Sequence, residues 1–290
     1  MISEFAKRIA PRLSAVVVEG TRACANRLCE QRESRWTKLQ DHGFHANGEW
    51  FCSAACLETE IVRDLVGQTR PMIDPAFAGA RLRLGMILLS RGVIGERELR
   101  AGLRAQRRGE ERIGECLQRL GLVTRRETTA ALAAQWRCPA LYQSVQLPPE
   151  ASAVPLTLVR EYRAVPVSYS AAGRLMRIAF DGALDHALTY AISHVLDCRT
   201  ETCITEPASL EEMMAVLAER PRDVEVDFGY MPSAETIART ARSYAEELES
   251  AHIRYVSCDE FFWMHISRAK GGVHLVFFRR PQRVSHDQAF

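Results

Sequence analysis

Four cysteines near the start of the chain have the spacing of a metal centre. Cys24 and Cys29 form a C-x4-C pair, 22 residues follow, and Cys52 and Cys56 form a C-x3-C pair. Thiolates in two such pairs suit tetrahedral zinc. Residues 19–66 are polar and can bury little apolar surface, so a bound zinc would supply folding energy in place of a core. The run Trp50-Phe51-Cys52-Ser53-Ala54-Ala55-Cys56-Leu57-Glu58 reads as a strand end entering a helix. Thiolates in that first turn would face the positive helix end, which favours their charge. His42 and His45 lie between the pairs and could replace a cysteine, but both cysteine pairs are complete. The competing reading is four buried or redox-idle thiols. Cys116, Cys138, Cys198, Cys203 and Cys258 stand singly.

A second pattern is a tandem repeat. Arg83 to Gln106 reads RLGMILLSRGVIGERELRAGLRAQ, and Arg112 to Gln135 reads RIGECLQRLGLVTRRETTAALAAQ. Aligned at an offset of 29 residues, the copies share Arg83/Arg112, Gly85/Gly114, Leu88/Leu117, Gly92/Gly121, Leu103/Leu132 and Gln106/Gln135. Each copy predicts a helical hairpin. Gly92 and Gly121 are placed as the left-handed residue after a helix. Thr124-x-x-Glu127 is a capping box, and Gly95 with Glu98 stands in its place in the first copy. Leu84, Leu88, Leu99 and Leu103 give an apolar stripe. Gly85 and Gly114 are different, because an early helical glycine costs about 1 kcal/mol against alanine. Paying that twice suggests that something approaches the backbone closely. Free helix N–H groups beside an arginine would suit a phosphate. Close helix packing explains the same glycines without any ligand.

Both patterns carry a resemblance. The cysteine segment resembles treble-clef fingers of the MYM or FCS type. The doubled pattern R-L-G-x-x-L-x-x-x-G-x(6)-L-x-x-x-L-x-x-Q, with its five-residue spacer, resembles the cyclic di-GMP-binding motif of the MshEN domain. That family supplies the N-terminal domain of type II secretion and type IV pilus assembly ATPases. The first copy matches every fixed position. The second has Ile113 and Thr128 where the motif has leucine, and Thr128 is expected to weaken its half-site. The resemblance implies two arginines, Arg83 and Arg112, on guanine or phosphate, and main-chain groups near Gly85 and Gly114 on the phosphates. It implies an apolar floor of Leu84, Leu88, Leu99, Leu103, Ile113, Leu117 and Leu132, closed by Gln106 and Gln135. It extends to Asp181, where the family usually has Asp-Pro near the ligand; Gly182 replaces the proline here.

These elements set the expected architecture: an α+β multidomain chain. A zinc-binding finger spans 19–66. An MshEN-like domain spans 76–220, with a helical repeat lobe at 76–137 and an α/β lobe at 138–220. In the latter, 156–162 reads as a helix, 164–167 and 174–180 as strands, and 181–185 as a turn into a helix. Residues 219–232 carry Pro221, Pro232 and several acids and read as a linker. A small αβ unit at 233–281 follows, with a helix over 235–250 and strands at 253–257, 261–267 and 273–278.

Composition narrows the function. The 290-residue chain is 47% hydrophobic and 26% charged, an ordinary globular balance. It has no apolar run long enough to span a membrane, and the apolar stretch Ala15 to Val18 is too short for a secretory signal, so a cytoplasmic protein without membrane insertion is expected. No glycine precedes a lysine, which excludes a P-loop. Net charge is +2 but uneven: Arg81 to Arg137 holds 13 arginines against 6 acids, and Glu211 to Glu260 holds 5 against 12. The basic segment suggests an anionic partner, and a solvated, arginine-rich helix face is the competing reading. No catalytic constellation stands out. The expectation is a non-enzymatic cyclic di-GMP receptor with structural zinc and a protein partner, without a nucleic-acid partner. The alternative is a zinc-finger scaffold for protein or DNA that kept the fold and lost the nucleotide.

Overall fold

The computed structural model describes residues 23–29, 43–67, 82–109, 111–248, 252–268 and 271–280. His42, the first residues of the 19–66 segment and residues 76–81 lie outside that set. The fold is mixed α+β with two sheets.

Strands β1 (Phe44–Ala46) and β2 (Glu49–Phe51) form a hairpin across Asn47 and Gly48, both at positive φ. Helix α1 (Ala54–Val66) follows, with Ser53 as its N-cap accepting from the Cys56 N–H. Four helices come next: α2 (Leu84–Ser90), α3 (Glu96–Gln106), α4 (Ile113–Arg119) and α5 (Arg125–Trp136). Both repeat turns close identically. Val93 and Gly92 donate to the carbonyls of Leu88 and Leu89, while Leu122 and Gly121 donate to those of Leu117 and Gln118. This is the Schellman arrangement, and Gly92 and Gly121 both sit at φ 68°. The expected capping box of α5 is present, and Glu98 accepts from the Gly95 N–H in the first copy.

The α/β lobe runs β3 (Ala140–Leu141), a short 3-10 helix at Pro149–Ala153, α6 (Leu156–Glu161), β4 (Ala164–Ser170), β5 (Leu175–Phe180), α7 (His186–Val195), β6 (Arg199–Thr205) and α8 (Pro207–Ala218). Its sheet has the order β3-β6-β5-β4, parallel except for the β4–β5 hairpin. The chain continues as β7 (Val224–Tyr230), α9 (Ala234–Glu247), β8 (His252–Ser257), β9 (Phe261–Arg268) and β10 (Gly271–Phe278).

The ends of the chain meet in one sheet of order β2-β1-β8-β9-β10-β7. Strand β1 lies parallel to β8, with His45 opposite His252, and helices α1 and α9 pack together over one face. Thus the 19–66 segment and the 233–281 unit, expected as separate modules, share a core of Leu57, Ile61, Ile237, Ala241, Phe262, Met264 and Leu275. Residues 219–232, expected to form a linker, contain β7, paired parallel to β10. Strand periodicity explains the two faces. Phe262 and Met264 point toward α1 and α9, while Phe261 and Trp263 join the core of the α/β lobe. The six-stranded sheet is therefore sandwiched and not tethered by a free linker.

Candidate functional site

The four early cysteines converge as their spacing predicts. Their Sγ atoms all lie within 4.8 Å of one another. Cys29 and Cys52 are 3.5 Å apart, and Cys52 and Cys56 are 3.6 Å apart. A tetrahedron with metal–sulfur bonds of about 2.3 Å has edges of about 3.8 Å, so the donor set fits zinc in size and softness. Burial, then the neighbouring thiols, pushes the Cys52 thiol up, and burial pushes Cys24 up. Burial also works against ionising Cys56, yet hydrogen bonds from Ser53 and Asn26 outweigh it and bring that thiol down to about 7. His45 lies on β1, outside the cluster, near the His252 ring.

The repeat forms a four-helix unit in which the copies exchange partners. Helix α2 of the first copy packs chiefly on α5 of the second, and α4 of the second chiefly on α3 of the first. Arg83 and Arg112 occupy the N-cap positions of α2 and α4, and both are exposed. The two glycines that follow are buried. A Cβ on Gly85 would lie 2.5 Å from Leu99 Cδ1, and one on Gly114 would lie 3.0 Å from Thr128 Cγ2 and 3.2 Å from Leu84 Cδ2. What approaches these backbones is a neighbouring side chain, so helix packing accounts for both glycines. Thr128 is buried beside Gly114, and its hydroxyl donates to the Thr124 carbonyl.

The other expected ligand residues divide by exposure. Leu88 and Leu117 have no accessible surface and Leu84 is 8% exposed. They form the core beneath the arginines, not a floor that a ligand could touch. Leu99, Ile113 and Leu132 pack partly against that core, while Leu103 stays 41% exposed. Gln135 donates to the Leu82 carbonyl at 2.7 Å, tying the end of α5 to the start of α2; Gln106 is half-buried at the matching place. Gly92 and Gly121 serve the turns. Asp181 is engaged by Arg163, whose Nε and Nη2 reach one carboxylate oxygen at 2.7 and 2.6 Å. Its neighbour Gly182 meets the repeat, since a Cβ there would lie 2.8 Å from Arg112 Nη1. The second arginine therefore stands where the helical unit touches the α/β lobe. Arg163, which also pairs with Glu211, holds that turn and carries no sequence signature of its own.

A further group, Asp223, His265 and His274, has its own signal in the sequence. His265 and His274 are cross-strand partners in the β9–β10 hairpin, with rings stacked at 4.4 Å. Asp223 Oδ2 lies 3.2 Å from His265 Nε2 and 3.9 Å from His274 Nε2. Equal spacing of the two histidines about the Ala269–Lys270 dipeptide is the sequence clue. The Trp263 indole N–H donates to His274 Nδ1 at 3.2 Å, so the neutral ring keeps its proton on Nε2. That protonated Nε2 offers a metal no lone pair, and at 3.9 Å from Asp223 it is too far for a hydrogen bond and stays buried without a partner. A Cβ on Gly272 would lie 2.3 Å from His265 Nε2, so only glycine admits this clamp.

No family model matches this chain, and no curated protein matches it. Among solved structures, the chain is similar to MshE with cdg, at 26% identity over 47% of this chain and 99% of that one, with a TM-score of 0.42. It is similar to the N-terminal domain of XpsE at 19% identity over 46% and 92%, with a TM-score of 0.35. No helix among the described residues is long and apolar enough to cross a membrane.

Proposed function

We propose that the chain is a non-enzymatic receptor for cyclic di-GMP, working in the cytoplasm, that relays occupancy to a protein partner in a secretion or pilus system. The observation that carries this reading is the repeat. Two copies of one motif set Arg83 and Arg112 at equivalent helix starts, both free of the core. A ligand with two guanines and two phosphates has the matching duplication, and planar guanidinium donors suit either group. The contact of Arg112 with the Gly182 turn supports a site to which the α/β lobe contributes. Zinc held by Cys24, Cys29, Cys52 and Cys56 takes a structural part: all four protein positions are filled by thiolates, and a closed site leaves no position for chemistry. The six-stranded sheet, which shares a core with the α/β lobe, then offers the partner a second body.

Isothermal titration in low salt tests the reading. One equivalent of cyclic di-GMP is expected to bind saturably, and GMP, which offers one half, far more weakly. Equal binding of the two nucleotides, or of neither, would leave the scaffold reading in place.

A further inference from the structure

A cleft lies where the α/β lobe meets the six-stranded sheet, away from the repeat. Three arginines line it from separate places: Arg174 before β5, Arg199 at the start of β6, and Arg254 in β8. Two of them face one carboxylate. Asp197 Oδ2 takes Arg174 Nη2 at 2.7 Å and Arg254 Nη2 at 3.5 Å. Backbone carbonyls steady the other guanidinium contacts: Arg199 Nη2 donates to Gly173 at 3.3 Å, and Arg254 Nη1 to His194 at 3.2 Å. Three guanidiniums against one lining carboxylate leave the cleft positive, with Asp64 acting on Tyr190 and His194 from beyond the lining. His194 adds none, because burial and the adjacent Arg254 push its pKa down.

Arg174 and Asp197, the tightest ion pair there, are placed by ordinary turns: Asp197 is the left-handed residue that ends α7, and Arg174 closes the β4–β5 turn. The Tyr190 ring stacks on His194 at 5.9 Å and 19°, and keeps 38% of its surface open as a flat wall. The space between, about 520 Å³, is shallow and open to solvent, so a ligand there would keep one side in water.

We propose that this cleft binds a phosphate monoester carried on a planar ring, the class of a nucleoside 5′-monophosphate. The dianionic phosphate meets the arginines, whose forks match its oxygens, and the ring lies on Tyr190. Because Arg254 belongs to the six-stranded sheet and the other lining residues to the α/β lobe, the ligand bridges the two bodies. The inference stands independently of the cyclic di-GMP reading.

Calorimetric titration of the full chain in low salt, with AMP as probe, tests it. AMP is chosen because a guanine nucleotide could also report on the repeat. One saturable site is expected, at least tenfold weaker in Arg199→Gln and in Arg254→Gln, and unchanged in Arg83→Ala. Ribose 5-phosphate should bind more weakly than AMP in wild type and equally in Tyr190→Ala. Arg199 has its one described bond to a backbone carbonyl, so its variant tests the site even if Arg254→Gln disturbs the fold. Absence of saturable AMP binding, wild-type affinity in Arg199→Gln, or equal binding of AMP and ribose 5-phosphate to wild type would overturn the assignment.

Discussion

The helical repeat and the six-stranded sheet are stabilised in opposite ways. The repeat is local. Its 24-residue copies adjoin, its core is a small cluster around Leu88 and Leu117, and its turns are closed by glycines that a reader can point to. The sheet is non-local. It brings β1 against β8, which lies some 200 residues later, and closes its far edge with β7. A core of aromatic and aliphatic side chains fills both its faces. The repeat presents arginines to solvent around a small core, whereas the early cysteines pack against the large core of the sheet. Binding and stability are thus divided between regions, and perturbing one should leave a measurable remainder in the other.

The largest separation should come from the cysteines. Removing zinc with a chelator, or replacing Cys52 with serine, leaves the β1–β2 hairpin without its anchor and uncovers β8. Metal sites of this kind contribute on the order of 10 kcal/mol of folding free energy. We expect loss of about one zinc per chain and an early unfolding transition of the sheet, read by tryptophan fluorescence, while cyclic di-GMP binding persists. A variant with unchanged zinc content would remove the metal from the account.

Within the repeat, Gly85→Ala puts a methyl group against Leu99 and is expected to destabilise the helical unit by about 1–3 kcal/mol, as overpacking does. Thermal denaturation followed by circular dichroism would check this. A neutral effect would mean that the hairpin is looser than described and that a ligand, not Leu99, explains the glycine.

Acid should find the sheet first. The His265 hydrogen bond, with the Gly272 N–H and nearby imidazole charge, overcomes burial and lowers Asp223 from 3.8 to about 2. A depressed carboxylate contributes stability that is present above its unfolded pKa and lost as pH falls through the folded one. The contribution, at most about 2 kcal/mol, should therefore fade between pH 4 and 2, and Asp223→Asn should flatten that limb of a stability–pH curve. A smaller effect is expected from Gln135→Ala, about 1 kcal/mol for one lost hydrogen bond to the Leu82 carbonyl.

The same division governs how much could be read in advance. The four cysteines, the turn glycines, the α5 capping box and the strands of the final hairpin all have causes within a few residues, and their types suffice. The pairing of β1 with β8 has no local cause, so the finger and the final unit looked independent. Strand β7 was hidden by its acids: Val226 and Phe228 pack on the core, but Val224 is exposed and Glu225 reads as solvent-facing. Its carboxylate in fact caps α6, accepting from the Leu156 and Thr157 N–H groups at 2.7 and 2.8 Å. The leucines of the motif were legible as apolar but not as core or surface, because the copies exchange partners, α2 packing on α5 and α4 on α3. Asp181 was expected at the ligand from the family resemblance alone, and its ion pair with Arg163, 18 residues away, has no local sequence signal.

The central claim is that Arg83 and Arg112 share one ligand. The direct measurement is a side-by-side titration of cyclic di-GMP into wild type, Arg83→Ala and Arg112→Ala in low salt. Two contacts joined through one molecule make affinity depend on both, so each variant should bind at least about tenfold more weakly, or roughly 1.4 kcal/mol. Saturable binding to wild type with losses of that size in both variants is the predicted result; wild-type affinity in both variants, or no saturable binding to wild type, would contradict it.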